Sequence, residues 1–340
     1  MRIAQVAPLF ISVPPKLSGG TERVISYLTE ELVGQGHEVT LFASGDSETR
    51  AKLVSVCPQA LWQAGNYEEP QPHFQRMMEL VFEDLSRFDV LHFHNETLQF
   101  PFLQRQPWPN ITTWHAALAP WQKPLFDEYN STLVSISDNQ RLPVSEANWQ
   151  ATIYHGLPRD LYTFRNGPGD YLAFIGRASF EKRLDRAIRI ACKAKMKLKV
   201  AAGINPQDDH YKRDIEPLLD EARDWVEFIG EVGGRQKDEF LGNAHALLFP
   251  IDWAEPFGLV MIESLACGTP VIAWRNGSVP EVIDDGRTGF IVQSVDEGAE
   301  AVARVSELKR ETCRQVFEER FDAARMAREY VEVYQRLAQS

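Results

Sequence analysis

The chain has 340 residues, more than the roughly 250–300 at which a single hydrophobic core stops growing, so two domains are the starting expectation. Apolar residues make up 44% and charged residues 25%, an ordinary globular balance, and the net charge of −12 with a pI near 5.2 excludes a broadly basic nucleic-acid surface. Lys and Arg number 12 against 18 acids up to residue 165 and 24 against 30 beyond it, which leaves −6 in each part and disfavours an electrostatic anchor on anionic lipid.

The amino terminus, Met1-Arg2-Ile3-Ala4-Gln5-Val6, enters a strand directly, with no secretory leader and no membrane-length apolar run. Cys57, Cys192, Cys267 and Cys313 are far apart and form no CxxC or zinc spacing. These features predict a soluble cytoplasmic protein with reduced, packed thiols. Short apolar runs at 3–7, 39–43, 90–94, 111–114, 132–136 and 152–154 read as strands, separated by longer amphipathic segments. A second series follows at 171–176, 198–202, 226–229, 246–250, 271–273 and 290–292. Each series predicts a parallel sheet with helices on both faces, a Rossmann-like doubly wound α/β domain. The Gly/Pro cluster Arg165-Asn166-Gly167-Pro168-Gly169-Asp170 suits a linker, giving domains at 1–165 and 166–321. A terminal helix at about 322–340, with Met326, Tyr330, Val333, Tyr334 and Leu337 at helical spacing, is expected to brace the first domain. Ligands gather at the carboxyl ends of strands in such sheets, so two facing domains would enclose a central cleft.

In chain order, the first residues that carry chemistry are Gly19 and Gly20, between a strand and a helix, where backbone amides can approach an anion closely. A flexible loop ending in a Thr21 N-cap is the competing reading. There is no GxGxxG and no GxxxxGK[ST], so neither a dinucleotide fingerprint nor a P-loop is supported. His92 and His94 share one face of a strand with Glu96 beyond, but no third metal ligand is positioned by sequence and no metal site is expected. His115 lies just past a strand and could meet a sugar hydroxyl or a reacting group, with a satisfied structural histidine as the alternative. Arg177 follows Phe174-Ile175-Gly176 at a strand end and Lys182 opens the next helix; a guanidinium fork and a point-charge ammonium there suit a diphosphate. Solvated helix charge competes as the reading of Lys182.

Glu255-Pro256-Phe257-Gly258-Leu259-Val260-Met261-Ile262-Glu263 places two carboxylates around an apolar stretch. Glu263 falls within a predicted buried helix over 259–267 with no basic residue close in sequence, so a polar partner must reach it. An unbroken helix would leave the two acids about 80° apart; a loop acid followed by a helix acid can bracket one hydroxyl-rich ligand. No GxSxG elbow and no Ser/His/Asp or Cys/His triad is evident.

Taken together, these phrases resemble the retaining glycosyltransferases of family 4, which have the GT-B fold. The acid pair in EPFGLVMIE resembles the family's EX7E motif, and GGTERVISYL, GHEVTLFAS, DVLHFHNE, TTWHA, FIGRASFEKR and ACGTPVIA through GSVPEVIDDGRTGFIV follow in family order over nearly the whole chain. The resemblance implies that Glu255 bonds donor-sugar hydroxyls, with the amides of Phe257, Gly258 and Leu259 near the sugar and phosphates. It implies that Glu263 holds the ribose diol, that Arg177 and Lys182 clamp the diphosphate with Gly19 and Gly20, and that His115 approaches the donor sugar. No cofactor or metal is implied beyond a nucleotide diphosphate sugar as co-substrate, UDP favoured over GDP, with a sugar-containing or small hydroxylated acceptor. Transfer would proceed with retention, the acceptor hydroxyl attacking the face from which the nucleotide leaves. His155-Gly156-Leu157-Pro158 departs from the usual Asn-Gly-x-Asp phrase, so no role carries over to His155, and Arg183 replaces the glycine that often follows the clamp lysine. Trp108, Trp114 and Trp121 are individual to this chain, with core packing weighed above sugar stacking. The alternatives are another GT-B activity, such as a sugar-nucleotide epimerase or glycosyl phosphorylase, and a non-catalytic sugar-nucleotide sensor.

Overall fold

The computed structural model describes residues 1–16, 18–65, 68–203 and 211–339, so the last residue of the expected terminal helix lies outside the described residues. Two all-parallel sheets organise the chain. The first runs β1 (Arg2–Val6), β2 (Glu38–Ser44), β3 (Lys52–Cys57), β4 (Val90–Phe93), β5 (Asn110–Thr113), β6 (Leu133–Ser135) and β7 (Trp149–Thr152), in spatial order β3-β2-β1-β4-β5-β6-β7. The second runs β8 (Leu172–Ile175), β9 (Leu198–Ala201), β10 (Val226–Phe228), β11 (Ala246–Phe249), β12 (Val271–Trp274) and β13 (Gly289–Val292), in order β10-β9-β8-β11-β12-β13. In each sheet the first strand lies centrally and the chain winds outward first to one side and then to the other. The two switch points therefore fall between β1 and β4 and between β8 and β11.

The central strands are apolar and buried on both faces, as sheets covered by helices require: Val271–Trp274 and Ala246–Phe249 have every residue buried. β3 escapes the sequence reading because it is an edge strand whose first five residues, Lys52–Val56, are not buried, so no continuous apolar run marks it. β7 is likewise an edge strand and begins at Trp149 instead of Thr152, where the apolar pattern had placed it.

The chain divides into two units, Met1–Pro158 with Asp322–Ser340, and Arg159–Phe321. The boundary expected at 165 lies inside the second unit for a physical reason. Arg165 pairs with Asp238 at 2.9 Å, its carbonyl accepts from Arg310 Nε at 2.7 Å, and a side chain at Gly169 would strike the backbone at Ala244. Five helices bear on the site: α1 (Gly20–Gly34), α2 (Leu184–Ala194), α3 (Gly234–Gly242), α4 (Leu259–Ala266) and α5 (Ala323–Gln339). α5 belongs to the first unit although it follows the second in sequence, and packs on α1, β4 and β5. Among the described residues no helix is long and apolar enough to cross a membrane.

Candidate functional site

In the second unit the chemistry-bearing residues flank the β8/β11 switch point. The chain leaves β8 through Gly176 at φ 153°, and Arg177 follows with its side chain 77% exposed, paired with Glu181 at 3.1 Å. Ser179 Oγ donates to Glu181 at 2.7 Å, and its neighbours Phe180–Lys182 form a single 3₁₀ turn. Arg183 then takes the left-handed conformation, φ 53° and ψ 50°, at the N-cap of α2. This is where glycine is favoured sterically, which gives a physical reason for the glycine that Arg183 replaces. The guanidinium is secured by Asp185 at 2.8 Å and Asp252 at 2.7 Å.

Lys182 meets the first acid of the pair. Its Nζ is 2.5 Å from Glu255 Oε2, and Trp253 Nε1 donates to the same oxygen at 2.8 Å while the ammonium sits 5.2 Å from the Trp253 ring centroid. Glu255 reaches this position because the loop after β11 is gripped from behind. Ser278 N donates to the Glu255 carbonyl at 3.0 Å and Ser278 Oγ to the Phe257 carbonyl at 2.7 Å. At Gly277, φ 55°, an added Cβ would lie 2.3 Å from the Glu255 nitrogen, so only glycine allows this approach. Gly258, φ 78°, caps α4, and a Cβ there would crowd Met261 and Phe249. The Phe257 ring is buried, 6.2 Å from that of Phe321, so its side chain is core. Leu259 opens α4, where the first amides lack intrahelical acceptors.

Glu263 is buried in α4 as expected, but it does have a basic neighbour. Lys237 of α3 forms an ion pair with its Oε2, at angles outside the hydrogen-bonding range. The partner is invisible locally because it lies on another helix, and α3–α4 packing brings it in. Lys237 and Trp253 are therefore the site residues that sequence reasoning missed.

In the first unit Gly19, φ 152° and ψ 88°, is the N-cap of α1 and Gly20 its first residue, so Thr21 is inside the helix and does not cap it. A Cβ at Gly19 would meet Pro15 Cβ at 2.8 Å. Glu22 in the first turn is buried, and burial pushes its carboxyl up. His115 follows β5 and joins a cluster of histidines: its Nε2 is 2.9 Å from His94 Nδ1, and its ring stacks on His155 at 5.4 Å and 20°. Burial lowers the His115 pKa to about 3 and holds His92, His94 and His155 well below the ordinary histidine value as well. His92 is wholly committed, to Tyr334 through Nδ1 at 2.6 Å and to Thr113 through Nε2 at 2.7 Å. Among the described residues no three His, Cys, Asp or Glu are grouped to hold a metal ion. Trp114 is core, Trp108 donates to the Phe88 carbonyl at 3.0 Å, and Trp121 is exposed.

A parallel doubly wound sheet in each unit, with loops carrying Arg, Lys, Glu and glycine at the switch point of the second, is an architecture in which enzymes place their ligand sites. The family comparisons agree. The model for glycosyltransferase family 4 matches residues 18–188, and that for glycosyl transferases group 1 matches residues 163–321. The chain belongs to glycosyltransferase family 4. A D-inositol 3-phosphate glycosyltransferase of Saccharomonospora viridis is 27% identical over 86% of this chain and 82% of its own length. The structure of AviGT4, a glycosyltransferase involved in avilamycin A biosynthesis, superposes with a TM-score of 0.77 at 24% identity, covering 100% of this chain and 98% of that one. HepE from Anabaena, in complex with UDP-glucose, gives a TM-score of 0.73 at 15% identity over 98% and 99% of the two chains. The fold is GT-B, two Rossmann-like units with the C-terminal helix returned to the first.

Proposed function

We propose that this glycosyltransferase moves a hexosyl-type sugar from a nucleotide diphosphate sugar, UDP-linked in preference to GDP-linked, to an acceptor hydroxyl, with retention and without a metal ion. The observation that carries the reading is the grouping of Lys182, Trp253 and Glu255 at the β8/β11 switch point, with the exposed Arg177 guanidinium on the β8 loop. A carboxylate paired with one cation, with a second exposed on the same loop as the first, suits a ligand with hydroxyls at one end and a diphosphate next to it. Glu255 accepts from donor-sugar hydroxyls, with the amides of Phe257, Gly258 and Leu259 near the sugar and phosphates. Arg177 and Lys182 offset the charge on the departing diphosphate. Glu263 holds the ribose diol, which gives a buried carboxylate on α4 a ligand as well as an ion-pair partner. The pair thus corresponds to the EX7E motif. From the first unit, Gly19 and Gly20 serve the diphosphate and His115 the sugar.

The bond from the anomeric carbon to the phosphate oxygen breaks, and a bond from that carbon to the acceptor oxygen forms on the same face. The acceptor proton passes to the leaving phosphate. The protein stabilises the oxocarbenium-like state and the leaving diphosphate and supplies no covalent nucleophile, so the carboxylate-pair logic of glycoside hydrolases does not apply. HepE's complex with UDP-glucose favours the UDP donor, and the inositol phosphate relative favours a polyhydroxylated acceptor. Calorimetric titration of UDP, GDP, ADP and their sugar derivatives tests the reading. UDP and a UDP-hexose are expected to bind tightest, in EDTA as well as without it. No binding by any of the three nucleotide series, or a strict metal requirement, overturns it.

A further inference from the structure

Behind His115 lies a chain of buried polar groups that the transfer reaction does not itself require. The parallel register of β1 on β4 sets Gln5 beside His92, and Gln5 is fully buried near the carboxyl end of β1. Gln5 Oε1 is 2.8 Å from His94 Nε2, while Gln5 Nε2 donates to Tyr334 Oη at 3.2 Å and lies 3.3 Å from His92 Nδ1. A carboxamide oxygen carries no proton, so His94 must donate from Nε2, and its Nδ1 is a lone pair. That lone pair faces His115 Nε2 at 2.9 Å, so His115 donates there. A neutral imidazole has one N–H, which leaves His115 Nδ1 bare. This Nδ1 is enclosed and has no hydrogen-bond partner among the described residues.

The same assignment of Gln5 sets the far end of the chain. With Gln5 Nε2 donating to Tyr334 Oη, the tyrosine proton goes to His92 Nδ1, 2.6 Å away, which leaves His92 Nε2 to donate to Thr113 Oγ1 at 2.7 Å, with Tyr330 Oη 2.8 Å beyond. The opposite direction would leave an enclosed N–H on His115 with no acceptor, which proteins tolerate less readily than an unused lone pair.

We propose that Gln5 and His94 are positioning residues that fix His115 in its Nε2–H tautomer and tie its ring to the β1/β4 network, at the strand end where the glycosyl-transfer reading places the donor sugar. The place of the sugar rests on that reading; the tautomer does not. Desolvation of all four histidines keeps the cluster neutral, so the tautomer is the variable that remains.

Long-range proton–nitrogen spectra of the ¹⁵N-labelled full chain at pH 7, with His115→Gln to assign the signals, read the tautomer directly. An unprotonated Nδ1 is expected, and a proton on Nδ1 overturns the proposal without any need for a second variant. In Gln5→Met the His115 signals are expected to become a mixture of tautomers. Release of UDP from UDP-glucose should then slow about tenfold in kcat, with UDP affinity unchanged. Tyr334→Phe leaves the Gln5–His94 bond in place and is expected to keep the wild-type tautomer. A wild-type tautomer in Gln5→Met, or a changed tautomer with unchanged kcat, overturns the positioning role. Failure of the wild-type protein to bind any nucleotide sinks the functional reading instead, and the spectrum still decides the tautomer.

Discussion

The two units solve the same architectural problem with opposite electrostatics. At the carboxyl edge of its sheet, the first unit gathers neutral donors and acceptors, Gln5, His92, His94, Thr113 and His115, locked by Tyr330 and Tyr334 of α5. The second gathers formal charge: Lys182 on Glu255, Lys237 on Glu263, Arg183 between Asp185 and Asp252. Neutral networks specify direction, because each proton has one place to go; ion pairs specify composition, because a charged ligand can exchange with either member. A positioning task belongs with the first arrangement and the capture of an anionic donor with the second.

Acid should expose the difference most strongly. The buried His92, His94 and His155 and the half-buried His115 have folded-state pKa values below the ordinary 6.5, so the unfolded chain binds protons that the folded chain refuses. Their neutral state costs nothing above pH 6.5, and stability falls as pH drops below it by about 1.4 kcal/mol per pH unit for each such histidine. Carboxylates with lowered pKa, such as Asp185 and Asp238, add their loss only further down. Urea midpoints between pH 6.5 and 4.5 read the histidines against the opposite, smaller gain from Glu22, Glu31 and Glu96, whose carboxyls are raised by burial; a midpoint that rises across that window would sink the neutral-cluster description.

Breaking one charge pair is the next largest effect. Glu263→Ala strands Lys237 and is expected to cost about 3 kcal/mol, with most of the stability restored in the double variant with Lys237→Met. Nucleotide binding should stay lost in both. If the single variant is as stable as the wild type by chemical denaturation, the pair is a surface-like contact. Glu255→Ala and Arg177→Ala should each lower transfer by at least about tenfold, the value of a lost charged hydrogen bond of ~1.5–3 kcal/mol, in steady-state rates of folded protein. Near-normal turnover removes them from the site. The smallest effect is expected from Arg183→Gly, where relief of about 1–2 kcal/mol of left-handed strain opposes the loss of two partly exposed ion pairs. A thermal midpoint shifted by more than several degrees would show that one side dominates.

Much of this was legible in the sequence because parallel sheets announce themselves as apolar runs between amphipathic segments, and because strand ends are where such folds place function. Arg177, Lys182 and Glu255 were readable for that reason. What escaped were contacts made through topology. Lys237 and Glu263 lie on separate helices, and the relay joins residues near 5, 92, 114 and 332, which meet only once the sheet order is known. Faint signals existed in hindsight: a glutamine inside the apolar β1, histidines two apart on β4 and just past its end, and tyrosines four apart on α5. None of them names its partners. The edge strand β3 and the early unit boundary escaped for a simpler reason: partial exposure blurs periodicity, and a Gly/Pro turn can be packed as tightly as a strand.

Because α5 returns to the first unit, that unit is discontinuous in the order of synthesis. A ribosome moving at roughly 5–20 residues per second needs on the order of ten to thirty seconds to make the intervening segment and α5. Throughout that interval the nascent first sheet has its histidines but lacks Tyr330 and Tyr334. The polar cluster can therefore close only after the second unit has been made, which places the alignment of His115 among the last events in the maturation of the chain.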